Sequence, residues 1–220
     1  MRDVMRKALF LLKFLGKLLA LLLACWLLGT ALLCAVYLLP VERMRANARE
    51  DAEVILADAA YPAQYELAAL GPATDSYMLG IAVYEGTEGL LREALATRWA
   101  DYEGVPVAED LLLSLNDAEG AEPVAYTHYW HGYLLLLKPL LLLFNYWDIR
   151  MINLMAQIAL MVLLSVLLVK KGRAWLLLPY VVSLIAVCPP TNAYCLAFSV
   201  MFYIYHAAML YILLRGDRIA

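Results

Sequence analysis

The chain has 220 residues, 65% of them hydrophobic, and a mean hydropathy of +0.71. A soluble domain is about half apolar, so this composition excludes a single soluble core and points to a membrane protein. The net charge is only −3, but it is segregated: residues 1–17 hold five basic side chains and one acid, while residues 41–128 hold 17 of the 20 acids and five arginines. So acidic a stretch repels a phosphate backbone, which argues against nucleic acid as a partner.

Residues 18–39 are 22 apolar or small residues closed by Pro40. As a helix the run covers about 33 Å, enough to cross a bilayer core. It is too long for the apolar part of a secretory signal and has no small-residue cleavage site, so it reads as a retained anchor. The basic N-terminus then stays in the cytoplasm. Residues 42–59 are Ala-rich with few breakers and predict a helix leaving the membrane. Pro62, "GPATD" and Gly80 mark loops. "EGLLREALATRWADYEG" has apolar residues at helical spacing and predicts another helix. "GVPVAEDLLLSLNDAEGAEPVA" mixes Gly, Pro and acids and reads as loop with one short helical turn.

Three later apolar runs cover residues 149–169, 174–187 and 193–214, ending on "KKGR", "CPPTN" and "RGDR". Both basic turns belong in the cytoplasm. The expected fold is therefore all-α: a polytopic helical membrane protein with four transmembrane helices and both termini cytoplasmic. Residues 1–40 are the N-terminus and first span, 41–147 an external loop domain, and 148–220 the other three spans. The apolar segment before Ile149 must then start and finish outside. Residues 133–144 form about 18 Å of helix, too short to span, and Pro139 would kink it. They are expected to lie along or dip into the outer interface as a juxtamembrane helix, with Tyr129, Trp130, Tyr146 and Trp147 as belt residues.

Cys25, Cys34, Cys188 and Cys195 sit in or beside apolar segments without CxxC spacing, so they read as small buried hydrophobes rather than a disulfide or zinc framework. Polar residues in apolar surroundings are the informative ones. His131, between Trp130 and Gly132, is either an amphipathic belt residue or part of a site. Lys138 lies seven residues on and is expected to share a helix face with His131, and either snorkels or pairs with a phosphate. Arg150, Asn153 and Gln157 form a polar stripe on a spanning helix, for interhelical hydrogen bonds or a pocket wall. His206, mid-helix near Tyr203, is an intramembrane ionisable group and so a functional candidate, but reads more simply as a neutral, hydrogen-bonded residue. Asp75, after Thr74, is either a helix N-cap or a functional carboxylate. No P-loop, Rossmann glycine pattern, HExxH, GxSxG or EF-hand spacing occurs.

Three stretches carry a resemblance. "ATDSYMLGIAVYEG" looks like an Asp-Glu-aromatic motif early in a first external loop, with Ser76 where the Glu would stand. "YWHGYLLLLKPLLLLFNYWDIRMIN" looks like a His-Pro-Pro juxtamembrane helix and the turn after it, with Gly132 in place of the first Pro. "VVSLIAVCPPTNAYCLAF" looks like the next luminal turn. In this order they resemble the integral-membrane glycosyltransferases of the C-type fold, in the branch of the protein mannosyltransferases and lipid-A aminoarabinose transferases. Those enzymes carry more spanning helices, so the resemblance implies a truncated or fragmentary member. It implies a plasma-membrane enzyme that moves a sugar from a polyprenyl-phosphate donor to an acceptor at the outer face, with Asp75 catalytic and His131, Arg150, Lys138 and Tyr77 binding substrate. Such transfer passes through an oxocarbenium-like transition state. A carboxylate there either takes the acceptor's proton or holds a divalent metal on the phosphate, so the cofactor stays open. The alternative is a non-enzymatic multipass protein whose external helical domain binds a partner protein. In either case membrane lipids are partners.

Overall fold

The computed structural model describes residues 2–59, 72–128, 130–187 and 193–216. Pro62, Tyr129, the "CPPTN" turn with Cys188 and the end of "RGDR" lie outside the described residues. The described residues are mostly helical, and among them three helices are long and apolar enough to cross a membrane.

The first, α1, runs from Arg2 to Tyr37, and its apolar part has no proline until Pro40, so the single Gly29 within it does not end the helix. Two short helices follow, α2 (Val41–Glu50) and α3 (Ala52–Ala59), where the sequence predicts one. Asp51 breaks it, with φ −115° and ψ 9°. Helix α4 is Pro72–Val83. The "GPATD" turn signal is thus a helix start, because proline suits the first helical position, where no amide bond is lost. Helix α5 (Leu90–Ala96) is shorter than its pattern suggests. It ends at Thr97 in the left-handed region, φ 45°, and the chain turns into strand β1 (Arg98–Asp101). Helix α6 (Val107–Leu115) is longer than the one short helical turn expected in this segment, and strand β2 (Glu122–Ala125) closes it. The strands pair antiparallel, Trp99 opposite Val124, so a small sheet is added to the expected all-helical fold.

Helix α7 (Leu134–Leu143) falls inside the juxtamembrane segment and contains Pro139. Helices α8 (Tyr146–Lys170) and α10 (Leu196–Arg215) are the second and third long apolar helices. Between them lie a 3₁₀ turn (Ala174–Leu176) and α9 (Leu177–Val187), too short to count with the long three. Helix α10 packs on α8, whereas α1 packs on α5 and α7. One core joins α2–α7 to the end of α1 and the start of α8, with Met44, Ile55, Leu79, Leu115, Leu134 and Leu141 fully buried. A smaller core of Leu164, Leu168, Tyr180 and Leu213 lies at the far end of α8, α9 and α10.

Helix ends in a core leave amides and carbonyls without intrahelical partners. Here side chains from neighbouring elements fill them, with the sign the helix dipole favours. Arg45 donates to the carbonyl of Ser114 (2.5 Å) and Arg49 to that of Leu115, both at the C-terminus of α6. Asn47 donates to the carbonyl of Leu141 (2.7 Å) near the end of α7. Lys138 donates to the carbonyl of Ala82 (2.7 Å) in the last turn of α4. Carboxylates serve N-termini. Asp51 accepts from the Trp147 amide (2.8 Å) at the start of α8, and Asp75 accepts from those of Leu196 (2.8 Å) and Ala197 (3.1 Å) at the start of α10.

Candidate functional site

A groove of about 330 Å³ lies where α4, α7, α8 and α10 meet. Its walls are mainly leucine and isoleucine, with Met78 of α4 at one side. Four polar groups face into it: Tyr133 before α7, Asn153 of α8, and Ser199 and Tyr203 of α10. The last three are bonded together. Asn153 Nδ2 donates to Ser199 Oγ (2.6 Å) and to the Ala193 carbonyl (3.0 Å), and the Tyr203 hydroxyl donates to Asn153 Oδ1 (2.8 Å). Gln157 adds a bond to Ser199 Oγ (3.3 Å). The polar stripe thus joins two long apolar helices and also furnishes a wall of the groove. Leu136, Ile152 and Val200 on its rim are exposed, so it opens on the apolar surface of the helices.

The expected site residues fall into three places. Asp75 and Arg150 meet at the junction of α4, α8 and α10. Asp75 is fully buried. One carboxylate oxygen accepts from the Tyr146 hydroxyl and the Leu196 amide, and the other from the Ala197 amide. Burial pushes its carboxyl above the usual range, and these three donors, with the Arg150 charge, act against that shift. Arg150, also buried, is held between the rings of Tyr146 (4.3 Å) and Tyr194 (4.5 Å). Asp75 lies within the first turn of α4 and caps α10, 121 residues on, rather than its own helix.

His131 and Tyr77 belong to a second cluster, an aromatic stack. Tyr77 lies on Trp99 with centroids 3.7 Å apart, and Tyr126 continues the stack at 6.4 Å from Trp99. His131 meets Tyr126 edge-on at 5.5 Å. Its Nε2 donates to the Tyr126 carbonyl (2.6 Å), which leaves Nδ1 of a neutral ring to accept from the Tyr133 hydroxyl (3.2 Å). Burial pushes the pKa of His131 down, in keeping with the neutral ring. Tyr133 lines the groove, so this cluster borders it.

Lys138 stands apart. His131 precedes the first turn of α7, so the two do not share a helical face. Lys138 Nζ lies 4.5 Å from the centre of the Tyr37 ring and bonds the Ala82 carbonyl, fully buried. Burial lowers its pKa from 10.5 to about 8.

Among the described residues, no three His, Cys, Asp or Glu side chains come together as a metal site. His206 accepts from the Tyr180 hydroxyl at Nε2 (2.9 Å) and donates from Nδ1 to the Phe202 carbonyl (2.8 Å), so it links α9 to α10 as a neutral ring. Tyr146 and Tyr133 were not singled out as site residues by the sequence. Tyr146 reads there as a belt aromatic, and only the fold brings it to Asp75. Comparison with protein families, curated proteins and solved structures finds no match for this chain.

Proposed function

We propose that the chain is a four-span membrane protein that takes a lipid-linked substrate into the groove between α4, α7, α8 and α10. Its chemistry on this reading is glycosyl transfer of the C-type class, from a polyprenyl-phosphate sugar to an acceptor at the outer face of the plasma membrane, or that of an incomplete relative of such enzymes. The observation that carries the reading is the groove itself. Its apolar walls open sideways on the lipid-facing helices and suit an isoprenoid chain, while hydroxyl and amide groups line part of it and Tyr133 links it through His131 to the aromatic stack. The fourth span on this reading is the shorter apolar helix Ala174–Ala186, about 20 Å long, which leaves a mismatch of about 10 Å for local thinning of the bilayer to absorb, at a cost of several kcal/mol. Residues 41–147 are then external and both termini cytoplasmic.

On this reading Arg150 offers the cation beside the leaving phosphate, and the neutral His131, through Tyr133, positions the sugar. Asp75 acts as a base only after Tyr146 or the start of α10 releases one of its oxygens. The test is transfer of a radiolabelled sugar from polyprenyl phosphate by membranes containing the protein. Wild type transfers and Asp75→Asn does not, a loss of the 10²–10⁴-fold order typical of a removed general base. Equal rates in the two remove Asp75 from the chemistry.

One observation favours the second reading, a non-enzymatic protein whose external domain binds a partner. Both oxygens of Asp75 are already engaged in bonds that hold α4 to α8 and α10. In that case no transfer occurs with any donor, and Asp75→Asn loosens the fold instead.

A further inference from the structure

Helix α5 turns Glu93 and Ala94 inward and leaves Leu90, Leu91 and Leu95 exposed. In water such a patch is costly unless something covers it. Its position names the cover. Leu95 and Trp130 form the far wall of an apolar hollow of about 460 Å³ whose near wall is α1 at Cys25, Leu28, Gly29 and Leu32. A Cβ placed on Gly29 would lie 3.4 Å from the Trp130 ring, so the indole sits directly on α1. Gly29 precedes the end of α1 at Tyr37 by eight residues, about 12 Å along the axis. Half of a bilayer core is about 15 Å. Trp26, Leu27 and Leu28, at the same height, are themselves about 60% exposed on the helix most able to span. The leucines of α5 thus continue a surface that must face lipid.

The charges of the region agree. Arg92 pairs with Glu88 (2.7 Å), and Arg98 pairs with both Glu88 (2.6 Å) and Glu93 (3.1 Å). These ions neutralise one another, and the exposed Arg92–Glu88 pair borders the same hollow as Leu90, Leu91 and Leu95. The patch is apolar with a paired rim, which suits acyl chains and makes no demand for anionic head groups.

We propose that α5 and Trp130 form a foot of the domain between α1 and α8, with Leu90, Leu91, Leu95 and Trp130 seated among the acyl chains of the leaflet that the C-terminal half of α1 crosses. The polar domain is then held to the membrane by an element inserted from one side, besides its connections to α1 and α8. This holds whether or not the protein transfers sugars, and it does not depend on which side of the membrane the domain occupies.

The test uses the full chain in nanodiscs of phosphatidylcholine and phosphatidylglycerol. Cys25, Cys34, Cys188 and Cys195 are replaced by alanine, and a nitroxide is placed at Leu91→Cys, with Trp26→Cys as the lipid reference and Glu119→Cys as the water reference. The expected result is a ratio of oxygen to nickel-chelate collisions at Leu91 near that of Trp26 and several-fold above that of Glu119. A ratio like that of Glu119 overturns the proposal. So does poor access of both reagents, which would mean that protein covers the patch. If the cysteine-free chain fails to fold, the unaltered protein is cross-linked with a lipid carrying a photoreactive group in its acyl chain. Adducts on residues 90–95 and on Trp130 support the foot, and adducts confined to α1, α8 and α10 overturn it.

Discussion

Asp75, His131, Lys138 and Arg150 are conspicuous in the sequence because each is a polar residue where apolar ones dominate. The structure buries all four, to 2% exposure or less. What the sequence could not supply was the partners of Asp75 and Lys138, whose bonds cross to elements far along the chain, whereas His131 bonds its near neighbours Tyr126 and Tyr133 and Arg150 lies on Tyr146 of its own helix. Asp75 holds the α10 amides, so Asp75→Ala should leave two part-buried N–H groups without their acceptor, at a cost of about 1 kcal/mol for each, the low end for a buried group. A drop in the thermal midpoint of the detergent-solubilised protein, larger for Asp75→Ala than for Asp75→Asn, checks this. Lys138 gives a pH signature. Its folded pKa, about 8, lies below the unfolded value of 10.5. Between those values the unfolded chain binds more protons than the folded one, so stability rises with pH from about 8 towards 10.5, and the full penalty of burying the ammonium is present below 8. Unfolding midpoints measured across this window should climb in wild type relative to Lys138→Met. Parallel curves would mean that Lys138 is solvated.

At the scale of elements, the long apolar helices were legible because twenty or more apolar residues admit few alternatives. The short helices between them were less so. Pro72 and Gly80 read as breakers, yet one opens α4 and the other packs within it, its Cβ position 3.9 Å from Trp99. Helix α6 was legible only as one short helical turn; its end is closed locally, with Asp117 at φ 55° and the Ala118 amide donating to the Leu113 carbonyl, and is tied to α2 by Arg45 and Arg49, long-range donors that the sequence does not reveal. Removing those donors should therefore unfasten α6 selectively. Arg45→Ala together with Arg49→Ala is expected to raise amide exchange in residues 107–117 while leaving α8 and α10 protected. Uniform exchange across the chain would contradict the local role. Gly132 marks a close approach: a Cβ there would fall 2.3 Å from the Trp130 ring. Gly132→Ala should push the indole from its seat on Gly29, seen as a shift in tryptophan emission that Gly16→Ala, with nothing near it, does not produce.

For the molecule as a whole, composition alone put the chain in a membrane, and charge segregation proposed its sidedness. The sequence did not show that the acidic segment would share one core with the ends of α1 and α8. That arrangement packs the domain onto the helices that line the groove, α4, α7 and α8, rather than leaving it a tethered loop. The four-span topology predicts that cysteines introduced at Asp101 and Lys171 react with an impermeant reagent from opposite sides of the membrane, and labelling from one side would refute it. The groove is the central claim, and its occupant can be captured directly. A polyprenyl phosphate with a photoreactive isoprenoid tail, cross-linked to the protein in nanodiscs and mapped by mass spectrometry, should mark Leu136, Ile152 and Val200 on the rim. Excess unlabelled polyprenyl phosphate should compete that labelling away, and Ser199→Trp, which fills the groove, should abolish it. Non-competable labelling spread along the exposed face of α1 as densely as on the rim would contradict the account.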